Sequence, residues 1–223
     1  QRQMCIRDRS NDQNAGNLVA LGLHALQHRG QDSTGIVTSD KNNFYAHRGM
    51  GQVSEVFSNK ELLNTLKGSM SIGHNRYGTT GESALKNVQP LFSELSVGGV
   101  AIAHNGNLTN THQLKEKLIK SGSIFQSTSD TEVILHLLST ASGTLLERLT
   151  YALNSISGAY SLLIMTNSKL IGVRDPFGIR PLVLGKYKNS YILSSESCGL
   201  DIIGAELIRD IEPGEIVVIK ENK

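Results

Sequence analysis

The chain has 223 residues, 39% of them hydrophobic, which is enough to bury a core and too many for a disordered polymer. Its formal net charge of +2 is spread without a basic run, arguing against the clustered Lys/Arg face of a nucleic-acid binder. Two widely separated cysteines, Cys5 and Cys198, make neither a disulfide framework nor a zinc-binding spacing. No stretch reaches the roughly 18 apolar residues of a membrane span, and charged residues rather than an apolar core follow Gln1-Arg2-Gln3-Met4. A cytoplasmic protein without a membrane partner is expected.

Apolar residues at helical spacing predict a buried helix over Asn14–Gln27. Short strands follow at Gly35–Thr38 and Asn43–His47, then a small helix at Asn59–Lys67. Ser69–Asn75 and Val97–His104 read as strands, the second rich in small residues suited to close packing. Helices are predicted over Leu108–Ser121, Asp130–Ser139 and Leu145–Ile156. The remainder is strand-rich: Tyr160–Met165, Lys169–Arg174, Leu182–Leu184, Tyr191–Ser194 and Glu215–Ile219, punctuated by Gly, Pro and Asn. Helices gathered among many short strands, without regular alternation, favour an α+β fold over a doubly wound parallel sheet.

Five polar, glycine-containing clusters end or interrupt apolar runs, where sites tend to be built. They are His28-Arg29-Gly30-Gln31-Asp32, His74-Asn75-Arg76-Tyr77-Gly78-Thr79, His104-Asn105-Gly106-Asn107, Ser127-Thr128-Ser129-Asp130 and Arg174-Asp175-Pro176-Phe177-Gly178-Ile179-Arg180-Pro181. Singly, each has a plain explanation. Asn105-Gly106 is a turn signal, Asp130 or Ser129 is a helix N-cap, and His104 is a hydrogen-bonded structural residue.

Together and in this order, the clusters resemble those of the class II, N-terminal-nucleophile glutamine amidotransferases. Leu26-Gln27-His28-Arg29-Gly30-Gln31-Asp32 and Gly172-Val173-Arg174-Asp175-Pro176-Phe177-Gly178-Ile179-Arg180-Pro181-Leu182 bring the likeness closest to the glutaminase domain of the amidophosphoribosyltransferase family. Glu212-Pro213-Gly214-Glu215-Ile216 matches that domain's end. The resemblance implies a four-layer αββα sandwich of two antiparallel sheets, and hydrolysis of glutamine to glutamate and ammonia. Arg76 matches the residue that takes the α-carboxylate, for which a planar guanidinium suits bidentate pairing, and Thr79 adds a hydroxyl. Asp130 matches the acid that takes the α-ammonium. Asn105, through its amide, and Gly106, through its N–H, match an oxyanion hole, while Arg29 and Gly30 match residues that support the nucleophile and close over the site. The base implied is the nucleophile's own α-amine, with a reference pKa of about 7.7–8.0. Arg174 to Pro181 reads as an architectural turn, and Cys198 as a small buried thiol.

The N-terminus departs from this pattern. The family begins with cysteine, then Gly, a β-branched residue, an apolar residue and Gly, in a buried strand. Here the stretch is Met4-Cys5-Ile6-Arg7-Asp8-Arg9-Ser10. In the ungapped register set by Gly22 and His28 the family's cysteine falls on Met4, with Cys5 one residue away and neither glycine present. Loss of Met4 would expose Cys5 as the nucleophile. The favoured reading is instead that residues 1–9 are foreign and replace the first strand of a domain spanning 10–223. Arg7-Asp8-Arg9 buried on both faces would leave unpaired charge, and a one-residue slip reverses every side chain.

The resemblance further implies a phosphoribosyltransferase domain, absent here beyond residue 223, as the ammonia-receiving partner, with magnesium in that domain and no cofactor in this one. It also implies a homo-oligomer for the full-length enzyme. Other readings are the glutaminase half of a different class II enzyme, such as glucosamine-6-phosphate synthase or asparagine synthetase, and a catalytically impaired glutamine-binding scaffold.

Overall fold

A computed structural model describes residues 2–7, 14–77 and 84–220, without the side chain of Arg29. In chain order the elements are β1 (Arg2–Arg7), α1 (Ala15–Ala25), β2 (Ser33–Ser39), β3 (Phe44–Met50), α2 (Val53–Val56), α3 (Lys60–Thr65) and β4 (Met70–Arg76). Then come β5 (Leu91–Leu95), β6 (Gly98–Leu108), α4 (Thr111–Lys120), α5 (Asp130–Thr140) and α6 (Leu145–Ser155). The C-terminal part holds β7 (Gly158–Met165), β8 (Lys169–Arg174), β9 (Val183–Tyr187), β10 (Ser190–Ser194), α7 (Cys198–Asp201), β11 (Glu206–Asp210) and β12 (Ile216–Lys220).

Two sheets form, one of seven strands ordered β11-β9-β10-β1-β4-β2-β3 and one of five ordered β12-β8-β7-β6-β5. Neighbouring strands are antiparallel throughout. Three apolar layers hold them. Met4, Val19, Leu23, Leu26, Ile36 and Ile192 pack α1 onto the larger sheet. Ile102, Ile134, Leu138, Leu149, Leu162 and Ile164 pack α5 and α6 onto the smaller one. Between the sheets lie Cys5, Val37, Ile72, Ala103, Leu163 and Leu193. Each large aliphatic side chain so buried contributes about 1.5–3 kcal/mol. The result is the expected αββα sandwich.

Local chemistry explains the helix starts. Thr144 and Glu147 form a reciprocal capping box for α6. For α5 the cap is Ser129, which accepts from Thr131 N–H. Of the two capping candidates Asp130 is therefore the first residue inside the helix, which frees its carboxylate for other partners.

β1 is the largest departure from the sequence reading, since residues 2–7 do form a strand buried on both faces. The charge expected to forbid this is absorbed at the strand's ends. Arg2 pairs with Glu196, and the Arg7 guanidinium donates to the Ser168 carbonyl. Asp8 and Arg9 lie outside the described residues. Smaller elements that the periodicity had not predicted are α2, β5, α7 and β11.

Candidate active site

The site is built where β4, β6 and α5 end or begin together. β6 runs straight through the predicted cluster, with Asn105 opposite Ser161 and Gly106 opposite Tyr160 on β7. A Cβ on Gly106, whose φ is +155°, would lie 2.0 Å from the Ala159 carbonyl oxygen, so only glycine permits this approach. Beside it the Asn105 side-chain nitrogen is a buried donor with no acceptor among the described residues. A buried unpaired donor costs about 1–3 kcal/mol and calls for an explanation. An oxygen that acquires charge during a reaction would supply the acceptor.

Asp130 is tied to the same strand end. Its Oδ2 accepts from Leu108 N–H at 3.1 Å, and its Oδ1 lies 3.4 Å from Nδ1 of His104. Burial works to raise its pKa, but the His104 contact and the backbone N–H groups of Leu108 and Thr131 outweigh it and hold the carboxyl below its usual range. The side chain keeps 16% of its surface exposed, so the anion is reachable. Arg76 arrives from the other sheet as the last residue of β4, with its backbone oxygen accepting from Asp32 N–H. The sheets are joined beside it by the His74 imidazole, whose Nε2 donates to the His104 carbonyl at 3.1 Å. Burial holds His74 well below the usual imidazole range, so the ring is neutral at neutral pH.

Gly30 lies against the end of β4, where an added Cβ would come within 2.9 Å of the Asn75 Cβ. Gln27 fixes this loop, its amide donating to the Gly30 carbonyl and accepting from Val53 N–H. The sequence reading quoted Gln27 within the Leu26–Asp32 motif but gave it no role. Arg29 lies in the short turn Gln27–Arg29, and Thr79 falls outside the described residues. Thus Asp130 is tied to β6 at His104 and Leu108, on either side of Asn105 and Gly106, while Arg76 and Gly30 reach the same end through His74 and Asn75.

Cys5 lies elsewhere. It pairs with Ile72 and Leu193 in the apolar layer between the sheets. Burial pushes its thiol up to about 12, against a smaller opposing effect of a backbone hydrogen bond at Leu193. The residue level with Asn105 is Gln3, whose side-chain nitrogen donates to the Ser161 carbonyl and hydroxyl at 3.0 and 3.1 Å. Ser195 brackets the Gln3 backbone, accepting from its N–H and donating to its carbonyl.

Two antiparallel sheets between helical layers, with this polar constellation at one end, form the N-terminal-nucleophile hydrolase fold. Residues 74–201 match the glutamine amidotransferase domain family, and the chain belongs to that enzyme family. It is 54% identical over 205 residues to an amidophosphoribosyltransferase of Rhizobium etli, covering 92% of this chain and 41% of the relative. The Bacillus subtilis amidophosphoribosyltransferase is 45% identical over 210 residues, with 93% and 44% covered. The solved structure of the allosteric regulatory enzyme of purine biosynthesis superposes with a TM-score of 0.94 at 43% identity, covering 99% of this chain and 47% of that one. The chain therefore spans less than half the length of these relatives. No helix among the described residues is long and apolar enough to cross a membrane.

Proposed function

We propose that this domain hydrolyses the side-chain amide of glutamine through a cysteine thioester, and that the longer protein passes the ammonia to a phosphoribosyltransferase domain making 5-phosphoribosylamine for purine synthesis. The observation that carries the reading is the Asn105 amide nitrogen, without an acceptor among the described residues, beside Gly106 on the strand that also anchors Asp130. Arg76 pairs with the α-carboxylate of glutamine and Asp130 with its α-ammonium, with Thr79 and Gly30 assigned to substrate binding and Arg29 to support of the nucleophile. A thiolate adds to the amide carbon, and its oxygen takes the electron pair and is held by the Asn105 amide and Gly106 N–H. The C–N bond then breaks, ammonia leaves with a proton returned by the nucleophile's α-amine, and water hydrolyses the thioester to glutamate. Losing one oxyanion donor costs roughly 2.7–4 kcal/mol in comparable hydrolases. The domain itself needs no cofactor in this reading. Magnesium belongs to the phosphoribosyltransferase domain, a homo-oligomer is expected of the longer protein, and a reactive thiol suits the reducing cytoplasm.

The second reading, a scaffold that binds glutamine without attacking it, is favoured by the placement of Cys5. At pH 8 a thiol with a pKa near 12 is ionised in only about one molecule in ten thousand, and the thiolate is the nucleophile. A shift of β1 by two residues would keep every side chain on its face and carry Cys5 to the level of Gln3. It would also draw Arg7 into the apolar layer, so β1 as placed opposes it. The alternative account of residues 1–9, a tract foreign to the domain, gives the same inertness.

Intact-mass spectrometry before and after a diazo-ketone analogue of glutamine tests these readings. Loss of residues 1–4 with one adduct on Cys5 would establish the glutaminase and overturn both the scaffold and the foreign tract. An unprocessed chain without adduct that still binds glutamine by calorimetry would establish the scaffold. Absence of both binding and adduct would overturn the amidotransferase site altogether.

A further inference from the structure

His104 is fully buried, and its backbone is gripped from two directions. Its N–H donates to the Gln89 side-chain oxygen at 2.7 Å, and its carbonyl accepts from His74 Nε2 at 3.1 Å. Gln89 is itself buried, and its backbone carbonyl packs so closely on Gly35 that an added Cβ there would come within 2.4 Å of it. A ring so held has little freedom, and its Nδ1 points at Asp130 Oδ1 and at the Thr131 hydroxyl, each at 3.4 Å. The other nitrogen, Nε2, is buried without a partner among the described residues. A buried nitrogen lacking an acceptor is better as a bare lone pair than as an N–H, which leaves the proton on Nδ1 facing the carboxylate. Asp130 then has a fixed N–H facing each oxygen, that of His104 with its nitrogen 3.4 Å from Oδ1 and that of Leu108 bonded to Oδ2. Two such donors fix the rotation of the carboxylate and leave its remaining lone pairs for an incoming cation.

From this geometry we infer that His104 is a positioning residue for substrate recognition: its Nδ1–H sets the orientation of the Asp130 carboxylate that receives the α-ammonium of glutamine. The inference rests on the reading of Asp130 given above. It assigns His104 no contact with substrate and no proton transfer. Its consequence is specific, because a residue acting through Asp130 governs affinity only for ligands that carry the ammonium group.

The test compares L-glutamine with glutaramate, the same molecule lacking the α-amine, by calorimetric binding to the full chain, which requires no working nucleophile. Losing a hydrogen bond to a charged group predicts that His104→Leu weakens glutamine binding by about tenfold or more while glutaramate changes by less than about twofold. In His104→Asn the side-chain amide places an N–H close to the Nδ1 position, and glutamine affinity should stay within about threefold of wild type. His104→Gln carries its amide one bond further out and should behave like the leucine variant, which keeps the comparison available if His104→Leu fails to fold. Equal losses for both ligands, or Asn and Gln variants that bind alike, would overturn the inference. Asp130→Asn separates the two levels. If the wild type shows no preference for glutamine over glutaramate, or Asp130→Asn leaves the preference intact, then Asp130 does not bind the ammonium and the underlying reading falls, whatever the His104 variants do.

Discussion

Asp130 and Asp175 stand near the same end of the smaller sheet, and both carboxylates are withdrawn from water, yet the protein uses them in opposite ways. Asp175 spends its acceptors on its own loop. Its Oδ1 takes the N–H groups of Phe177 and Ile179, its Oδ2 takes that of Arg180, and its backbone oxygen takes those of Gly178 and Gly214. The neighbouring Arg174 guanidinium closes the turn by donating to the carbonyls of Gly178, Arg180 and Ile211. Asp175 is fully buried whereas the Asp130 side chain keeps 16% of its surface exposed, so acceptor capacity is left over at a surface a ligand can reach. A buried carboxylate is architectural when its lone pairs are filled from within, and recognises something when they are not.

The comparison breaks most readily at Asp175. Asp175→Ala strips three backbone N–H groups of their acceptor, so a loss of about 2–4 kcal/mol is expected. In a chain of this size that is a fall of roughly 10 °C in Tm, measurable by thermal unfolding followed by circular dichroism. A shift of a degree or less would mean that water replaces the carboxylate and that the loop is not held as described.

Asp130→Asn should do the reverse. Ser129 remains to cap α5, so stability should change by less than about 1 kcal/mol, whereas glutamine affinity should fall by about 2–3 kcal/mol with the loss of a charge-assisted pair. Calorimetry and urea unfolding on the same preparation give both numbers. A variant that unfolds early and keeps its affinity would make Asp130 a second architectural carboxylate and erase the contrast.

Glu215 extends the comparison to the surface and carries the smallest effect. Arg209 grips it with two nitrogens at 2.6 and 2.7 Å, and chiefly this bond holds its carboxyl down to about 2. Because the folded value is depressed, the stabilisation is present above the unfolded value near 4.3 and is lost as pH falls from there through about 2. The pair is solvated, so only about 0.2–1 kcal/mol is expected rather than the full shift. Glu215→Gln should therefore lower the urea midpoint slightly at pH 7 and be indistinguishable from wild type near pH 2. A gap that persists at pH 2 would assign the effect to packing.

Much of the site was legible in the sequence. Arg76, Asn105, Gly106 and Asp130 sit in short polar clusters that the family pattern recognises, and the structure sets them at one end of the sandwich. What surrounds them was not. Gln27 and His74 lie inside the recognised clusters and Gln89 outside them, but the bonds that give them their roles run to Val53 and, for His74 and Gln89, to His104, partners that their own stretches of sequence do not indicate. β11 is exposed throughout and lacks an alternating pattern, so only its pairing with β9 makes it a strand. α2 is a single turn whose capping box, Gln52 with Glu55, was visible but too short to predict a helix without the packing of Val53.

The sequence by itself determined the α+β class, the long helices and central strands, and the chemistry of the polar clusters, because periodicity and residue type are local properties of the chain. The tertiary structure decided which carboxylate is spent and which is available, and where Cys5 lies. It also decided that β1 is a buried strand, since Glu196 and the Ser168 carbonyl meet Arg2 and Arg7 only after the chain has closed on itself. Hydrogen-bond saturation and burial belong to pairs of residues brought together by folding, and no single stretch of sequence contains both members.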